Sequence, residues 1–490
     1  MIRRTVYILL LIPGIFLPDI SAQNSQTLYY MNIPQNHLLN PAMRPSNSVY
    51  IGLPAISGIN LNMNNNFINF SDIFMNGQTS DSLITFLHPD NNIDDFIAKI
   101  KDKNSLEPQL SVQLFGLGFN AGKDLYIFFD INERIDGNIV LPGDIIKLGL
   151  LGNEQFVGSK TDLSSLRGDL KYYREYGLGF SKNFTNKLRI GVKAKLLSGI
   201  AAGSIENRSL GILVNDDFTH TLDADLMINI SGPVIYHKDA DSLLPDIKID
   251  KTKINTTAQK LDYLVSPKNI GFGIDIGAEY KINDRLLVSA AITDLGFIKW
   301  RRDILNMKAE SQFEFSGLNM TDVLSNTIKF DSLILQMVDS LENSFKVSDS
   351  NDPFTTWLPF GVTIGASYNL TKSFSVGMLS YSRIIGKQIK ESLSLSANVN
   401  FSNAFSTSLS YTIANSRFDN LGFGLAFRPG VTQFYFIADR IPVTWNKIII
   451  ENSTIPLPTS WNTIHLRLGM NLTFGNRVKK KNDKPMLIVE

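Results

Sequence analysis

Along residues 391–401, Leu393, Leu395, Ala397, Val399 and Phe401 occupy every second position, with Ser394, Ser396, Asn398 and Asn400 between them. After a Ser-Asn-Ala break the rhythm resumes, with Phe405, Leu409, Tyr411 and Ile413 set against Ser406, Ser408, Ser410 and Thr412. A period of two sends alternate side chains to opposite faces, so this stretch reads as a hairpin that is oily on one side and wet on the other. The same signature returns at 125–132, 188–196, 272–280, 362–369 and 464–474. Each run is about 9–12 residues, the length of a tilted strand crossing a bilayer, whereas strands of globular domains average about 5–6.

A β-sandwich also alternates, but its wet face meets bulk solvent and usually carries Lys, Glu and Thr. Here the wet faces hold Ser, Gly, Asn and Thr with sparse charges of both signs, which suits the enclosed lumen of a barrel. Connections support the same choice. Short turns at 120–123, 183–187, 281–284, 370–373, 402–404 and 428–430 alternate with longer links at 133–174, 231–269, 301–356 and 446–460. Outer-membrane barrels have that asymmetry, with the short side periplasmic. The expected fold is an all-β, transmembrane antiparallel β-barrel of about 14–16 strands; counting crossings by parity favours the upper figure. By the same parity Trp300, Trp357, Trp445 and Trp461 all fall at the outer rim, as an aromatic girdle, with Lys299, Arg301 and Arg302 at headgroup level. Residues 81–103 and 322–345 switch to spacings of three and four and read as amphipathic loop or plug helices.

The ends set the organisation. Arg3 and Arg4 precede a mostly apolar stretch to Ile20, and Ser21-Ala22 resembles a cleavage site, so residues 1–22 are expected to be a signal peptide. Residues 23–48 would then form a periplasmic or plug segment, 49–475 the barrel, and 476–490 a periplasmic tail, placing the chain in the outer membrane of a Gram-negative bacterium. Removing residues 1–22 leaves equal numbers of acidic and basic residues, so bulk charge offers nothing to nucleic acid.

Chemistry-bearing patterns are sparse. The chain has no cysteine, and His37, His88, His220, His237 and His465 show no ligand spacing. No HExxH, GxSxG or P-loop occurs, and the glycines of "GFGIDIG" (271–277) read as relief of lumen crowding. No enzyme, metal or cofactor is expected. Parity turns Arg189, Lys193, Lys195, Asp275, Glu279, His465 and Arg467 toward the lumen, where they could favour anions or form a mixed network that fills the interior.

Two blocks, "HLLNPAMRPSNSVYIGLP" (37–54) and "GFGIDIGAEYKINDRLLVSAAITDLGFIKW" (271–300), together with "FGLAFRPG" and "HLRLGMNLTFG", resemble a family of outer-membrane barrels from Bacteroidota catalogued as domain of unknown function 5723. Asn40-Pro41-Ala42 is similar, more distantly, to fatty-acid-transport-type barrels and the shuttle barrel of type IX secretion, which implies fourteen strands and an N-terminal plug. The family carries no defined activity, so the resemblance assigns no functional residue. The functional expectation is a passive channel or carrier for small solutes, hydrophobic compounds among the candidates, in outer-membrane lipid. The alternative is a non-transporting scaffold whose outer loops hold a cell-surface, periplasmic or secretion partner protein.

Overall fold

The computed structural model describes residues 26–476 except 77–82, 89–90, 153, 217–218, 238–245, 316–345, 402–403, 415–416, 442–444, 451–452 and 459–462. The expected signal peptide, the helix expected at 322–345, the tail beyond 476 and Trp461 lie outside the described residues.

Fourteen antiparallel strands close on themselves. They begin with β1 (Asn47–Gly52, continued by Ile59–Asn65), β2 (Lys103–Asn120), β3 (Leu125–Pro142), β4 (Arg167–Asn183) and β5 (Leu188–Val214). Next come β6 (Ile270–Lys281), β7 (Leu286–Trp300), β8 (Phe354–Trp357, continued by Phe360–Asn369), β9 (Phe374–Ile385) and β10 (Gln388–Phe401). The circuit ends with β11 (Phe405–Ala414), β12 (Arg417–Phe427), β13 (Thr432–Ala438) and β14 (Thr463–Asn476). Closure runs through β14, whose Phe474 faces Val49 and whose Leu466 faces Leu61 of β1, while its Leu468 faces Phe436 of β13.

Facing follows the alternation. On β10, Leu395 is 56% exposed and points outward, whereas Ser392, Ser394 and Asn398 are buried inward. On β11, Leu409 and Tyr411 point out, and Ser406, Ser408, Ser410 and Thr412 point in. Two packed sheets would have buried those leucines against each other. A closed barrel with its apolar side chains outside has hydrocarbon as its fitting surroundings, and closure leaves no unpaired edge in it.

Sixteen crossings become fourteen for one reason. Leu188–Val214 is a single strand of 27 residues, far longer than a bilayer requires. Its inner half pairs with β6 and its outer half with His220–Ser231, which pairs in turn with Ile304–Phe315. Counting by parity takes 205–214 and 219–230 as two separate crossings; they are instead an extension of one wall past the closed barrel. The opposite wall is low: β9 and β10 are joined by Gly386-Lys387 alone, with Gly386 at φ +59°, the positive value a two-residue hairpin needs at its first position.

Two further expectations change. Among the described residues of 81–103, only Ile93–Ile97 is helical, capped by Asn92, beside a small hairpin of Phe74–Asn76 and Leu83–Thr85. Among the tryptophans, Trp357 is 68% exposed on the outward face, but Trp300 is fully buried, donates from Nε1 to Thr356 Oγ1 at 2.9 Å, and packs with Tyr173, Leu197, Ile298 and Leu358. The cause is a β-bulge. The β6–β7 register slips between Ile274 and Ile276, opposite Asp294 at φ +62°, and one extra residue reverses the facing of everything after it. Inward positions are odd before Asp294 (Leu287, Ser289, Ala291, Thr293) and even after it (Ile298, Trp300 and Gly296 between β6 and β8). Trp445 opens a separate hairpin, Trp445–Ile450 with Ser453–Pro458.

Outward facing at bilayer depth makes a quantitative prediction. Leu395→Arg should lower unfolding stability by ~2–4 kcal/mol in lipid vesicles, measured by urea titration of the folded barrel. Ser380→Thr on the same outer face of β9 should leave it unchanged within error.

Candidate functional site: the filled lumen

Eight strands make a barrel whose own side chains fill it; fourteen enclose more space than wall side chains reach across. Residues 26–46 occupy that space. Two short 3-10 turns, Gln26–Leu28 and Pro34–Leu38, keep the segment compact, the second started by a proline that has no N–H to leave unpaired. Almost every residue from Gln26 to Arg44 is buried.

Its polar groups find partners around the whole circumference. Gln26 Nε2 donates to Ser392 Oγ at 2.8 Å, and the Thr27 N–H to Asp439 Oδ1 at 2.8 Å. Thr27 and Ser410 share a hydroxyl hydrogen bond of 2.7 Å, as Tyr29 and Ser289 do at 3.0 Å. The Tyr30 hydroxyl lies between the carbonyls of Ala366 and Met378, at 3.0 and 2.7 Å. Gln35 and Asn471 exchange amide hydrogen bonds of 2.8 and 3.0 Å. Gln433 Nε2 donates to Asn32 O at 3.0 Å, and Arg44 Nη2 to Ser181 O at 2.6 Å. Each neutral bond contributes only about 0.5–1.5 kcal/mol net. Together with the two that involve a charged group, Asp439 and Arg44, they fix the segment's position.

Where the segment comes closest, the wall has no side chain. A Cβ on Gly277 would collide with Asn40, one on Gly191 with the Pro41 carbonyl, one on Gly377 with the Tyr30 ring, and one on Gly424 with Met31. The Asn40-Pro41-Ala42 turn is thus seated on bare backbone of β5 and β6, and the "GFGIDIG" glycine at 277 serves that approach. One side is apolar: Leu28, Tyr30, Met31 and Ile33 pack with Leu379, Ala426, Tyr435 and Ile437 of the wall. Along β9 this apolar lining continues as Leu379, Tyr381 and Ile385, all buried and inward.

Ionic groups collect on the opposite wall. Lys193 bridges Asp130 at 2.9 Å and Glu175 at 2.7 Å; Lys195 bridges Asp275 at 2.7 Å and Asp294 at 2.6 Å. Arg134 spans Glu175 and Asp294 at 2.9 and 2.7 Å, and Arg189 pairs with Glu279 at 2.6 Å. The segment enters this network through one residue. His37 Nε2 is 2.7 Å from Asp130 Oδ1 and its Nδ1 is 2.7 Å from Pro34 O.

Of the seven residues expected in the lumen, Arg189, Lys193, Lys195, Asp275 and Glu279 are brought together on β5 and β6. His465 and Arg467 lie apart on β14, facing Asn64 at 2.8 Å and Asn60 at 3.2 Å of β1. Sequence reasoning left out Asp130, Arg134, Glu175, Asp294 and His37. Asp130 stood on the wet face of 125–132 and was within reach of the pattern; Asp294 was not, because the bulge removes its periodicity. Among the described residues, no group of three His, Asp or Glu is placed to hold a metal ion.

The sequence profile described as "Family of unknown function (DUF5723)" matches residues 41–439. The chain belongs to this family. No protein of curated function matches it. Among solved structures, it is similar to a Pseudomonas aeruginosa FadL homologue at 8% identity and TM-score 0.39, over 94% of this chain and 100% of that one. The Pseudomonas putida toluene transporter TodX aligns at 9% identity and TM-score 0.34, over 94% of this chain and 96% of that one. The translocator domain of autotransporter NalP from Neisseria meningitidis aligns at 6% identity and TM-score 0.29, over 87% and 88%. The fourteen-strand closure of this family member rests on its own strand pairing, not on these matches.

The seating of Asn40 and Pro41 can be tested directly. Gly277→Val should expel residues 26–46 from their place, making them cleavable by protease in the membrane-embedded protein. Gly203→Val, where an added Cβ would meet nothing within 4 Å, should leave protection intact, as read by mass spectrometry of the fragments.

Proposed function

We propose that this barrel resides in an outer membrane and is a passive channel or carrier for small solutes, gated by its own N-terminal segment. The observation that supports this is the filling of a fourteen-strand lumen by residues 26–46 through hydrogen bonds, most of them neutral, to strands on several sides. A barrel that only anchored something would need no lumen wide enough to require such filling. Displacing the segment would leave a passage with a serine- and asparagine-rich lining and one apolar stripe, Leu379, Tyr381, Ile385, Tyr435 and Ile437. That stripe suits a solute with an apolar face, and it is the reason for preferring small hydrophobic compounds over ions.

A partner-binding scaffold is the second reading. Its support is the outer extension of β5 with His220–Ser231 and Ile304–Phe315, a sheet that rises past the level where the opposite wall ends. A stoichiometric companion crosslinked from solubilised membranes and lost on deleting 304–315 would favour it.

Gating can be tested because the chain has no cysteine of its own. Thr27→Cys with Ser410→Cys, whose hydroxyls now lie 2.7 Å apart, should form a disulfide that holds the segment in place. Oxidised protein in liposomes should pass no small solute in a swelling assay, and reduction or deletion of 26–46 should raise flux at least severalfold. Equal, negligible flux in all three forms would remove the channel reading.

A further inference from the structure

We propose that the outer ends of β6, β7 and β8 bind the phosphate groups of a lipid in the surrounding outer leaflet. This rests on the membrane reading above and adds a ligand site to it. The bulge at Asp294 that turned Trp300 inward turned its neighbours outward. As a result Phe272, Phe297 and Trp357 are cross-strand partners on one outward rung, with the Phe297 and Trp357 rings 5.6 Å apart. Phe272 is 58% exposed, so the rung forms an aromatic ledge at the upper limit of the apolar belt. Aromatic rings with one wet edge settle at that depth of a bilayer.

The next rung is Ile270, Lys299 and Thr355, about 7 Å further out at ~3.4 Å per residue. Lys268 and Arg301 flank it one step beyond, both exposed. Asn269 holds this corner rigid, its Oδ1 accepting from the N–H groups of Arg301 and Arg302 at 2.8 and 2.9 Å. Three cations therefore converge within two rungs of the ledge. None has a side-chain partner among the described residues. Acids close by are already engaged: Asp262 pairs with Arg302 at 3.1 Å, and Asp303 with Lys253 at 2.7 Å and the Tyr263 hydroxyl at 3.0 Å.

Three positive charges without a side-chain partner among the described residues, directly above an apolar, aromatic ledge, match an amphiphile with anionic phosphates above acyl chains. A soluble acidic protein would satisfy the charges but would leave the ledge to chance. Lys299 and Arg301 add donors of two geometries, a point charge and a planar fork, both suited to phosphate oxygens.

The test uses the full chain folded into phosphatidylcholine vesicles containing a small fraction of a diphosphorylated glycolipid, and compares it with the variant carrying Lys268→Gln, Lys299→Gln and Arg301→Gln. Flotation and heat-modifiable gel mobility confirm that both proteins are inserted. The parent should retain the phosphorylated lipid through detergent extraction in preference to its dephosphorylated counterpart, and the triple variant should lose that preference by about tenfold. Equal retention by both proteins, or no preference by the parent, overturns the site. Release of the lipid by millimolar inorganic phosphate would assign the cluster to a free anion and overturn the lipid. Failure of flotation would instead remove the membrane reading itself.

Discussion

Backbone closure between the first and last strands is the constraint on which the rest depends. Hydrocarbon offers no partner to an N–H or C=O, so a sheet placed in it must pair every strand on both sides. Here β14 satisfies β1 along both of its halves and β13 on its other edge. Once the ladder is closed, strand number sets the bore, and fourteen strands set one too wide for serine and asparagine side chains to fill. An empty bore would leave buried polar groups to water or to nothing. The N-terminal segment removes that problem by offering an amide, hydroxyl or carbonyl to each wall.

The segment in turn explains the composition of the inner face. Glycine at 191, 277, 377 and 424 is needed where backbone or ring approaches the wall. Serine and threonine at 289, 392, 410 and 412 are short enough to stand between wall and segment while still bonding one of them. Charged residues are tolerated only where they complete one another, as Lys193 and Lys195 do between four carboxylates. Removing one partner of such a buried pair would leave an uncompensated charge, which is strongly destabilising. His37 links that network to the segment at Asp130, and the Thr27 N–H on Asp439 and Arg44 on Ser181 add two more bonds that involve a charged group; the remaining bonds that set the register of residues 26–46 are neutral.

A single extra residue at Asp294 has consequences on both sides of the wall. Inside, it brings a carboxylate against Lys195 and Arg134 and sends Trp300 into a cluster with Tyr173 and Leu197. Outside, it aligns Phe272 and Phe297 with Trp357 and leaves Lys299 pointing away from the lumen. Bulges re-aim side chains at the cost of one unpaired residue, and this one assigns inner and outer chemistry at the rim together.

Strand existence, the outward identity of Leu395 or Leu409, and the lumen placement of Lys193, Lys195 and Asp275 were legible in the sequence, because a period of two is a local property of consecutive residues. The short turns were legible for the same reason. Strand number was not: nothing local tells that Leu188–Val214 runs on as one strand, since a chain that turns and a chain that continues can show the same alternation. Nor could Trp300 be placed, because parity is counted forward and a bulge resets it only through pairing with a neighbouring strand. What occupies the bore, and which of His37, Asp130 and Lys193 meet, was decided by tertiary structure alone. The His37–Asp130 and Lys193–Asp130 contacts join residues 93 and 63 positions apart, and only closure of the barrel brings them within reach.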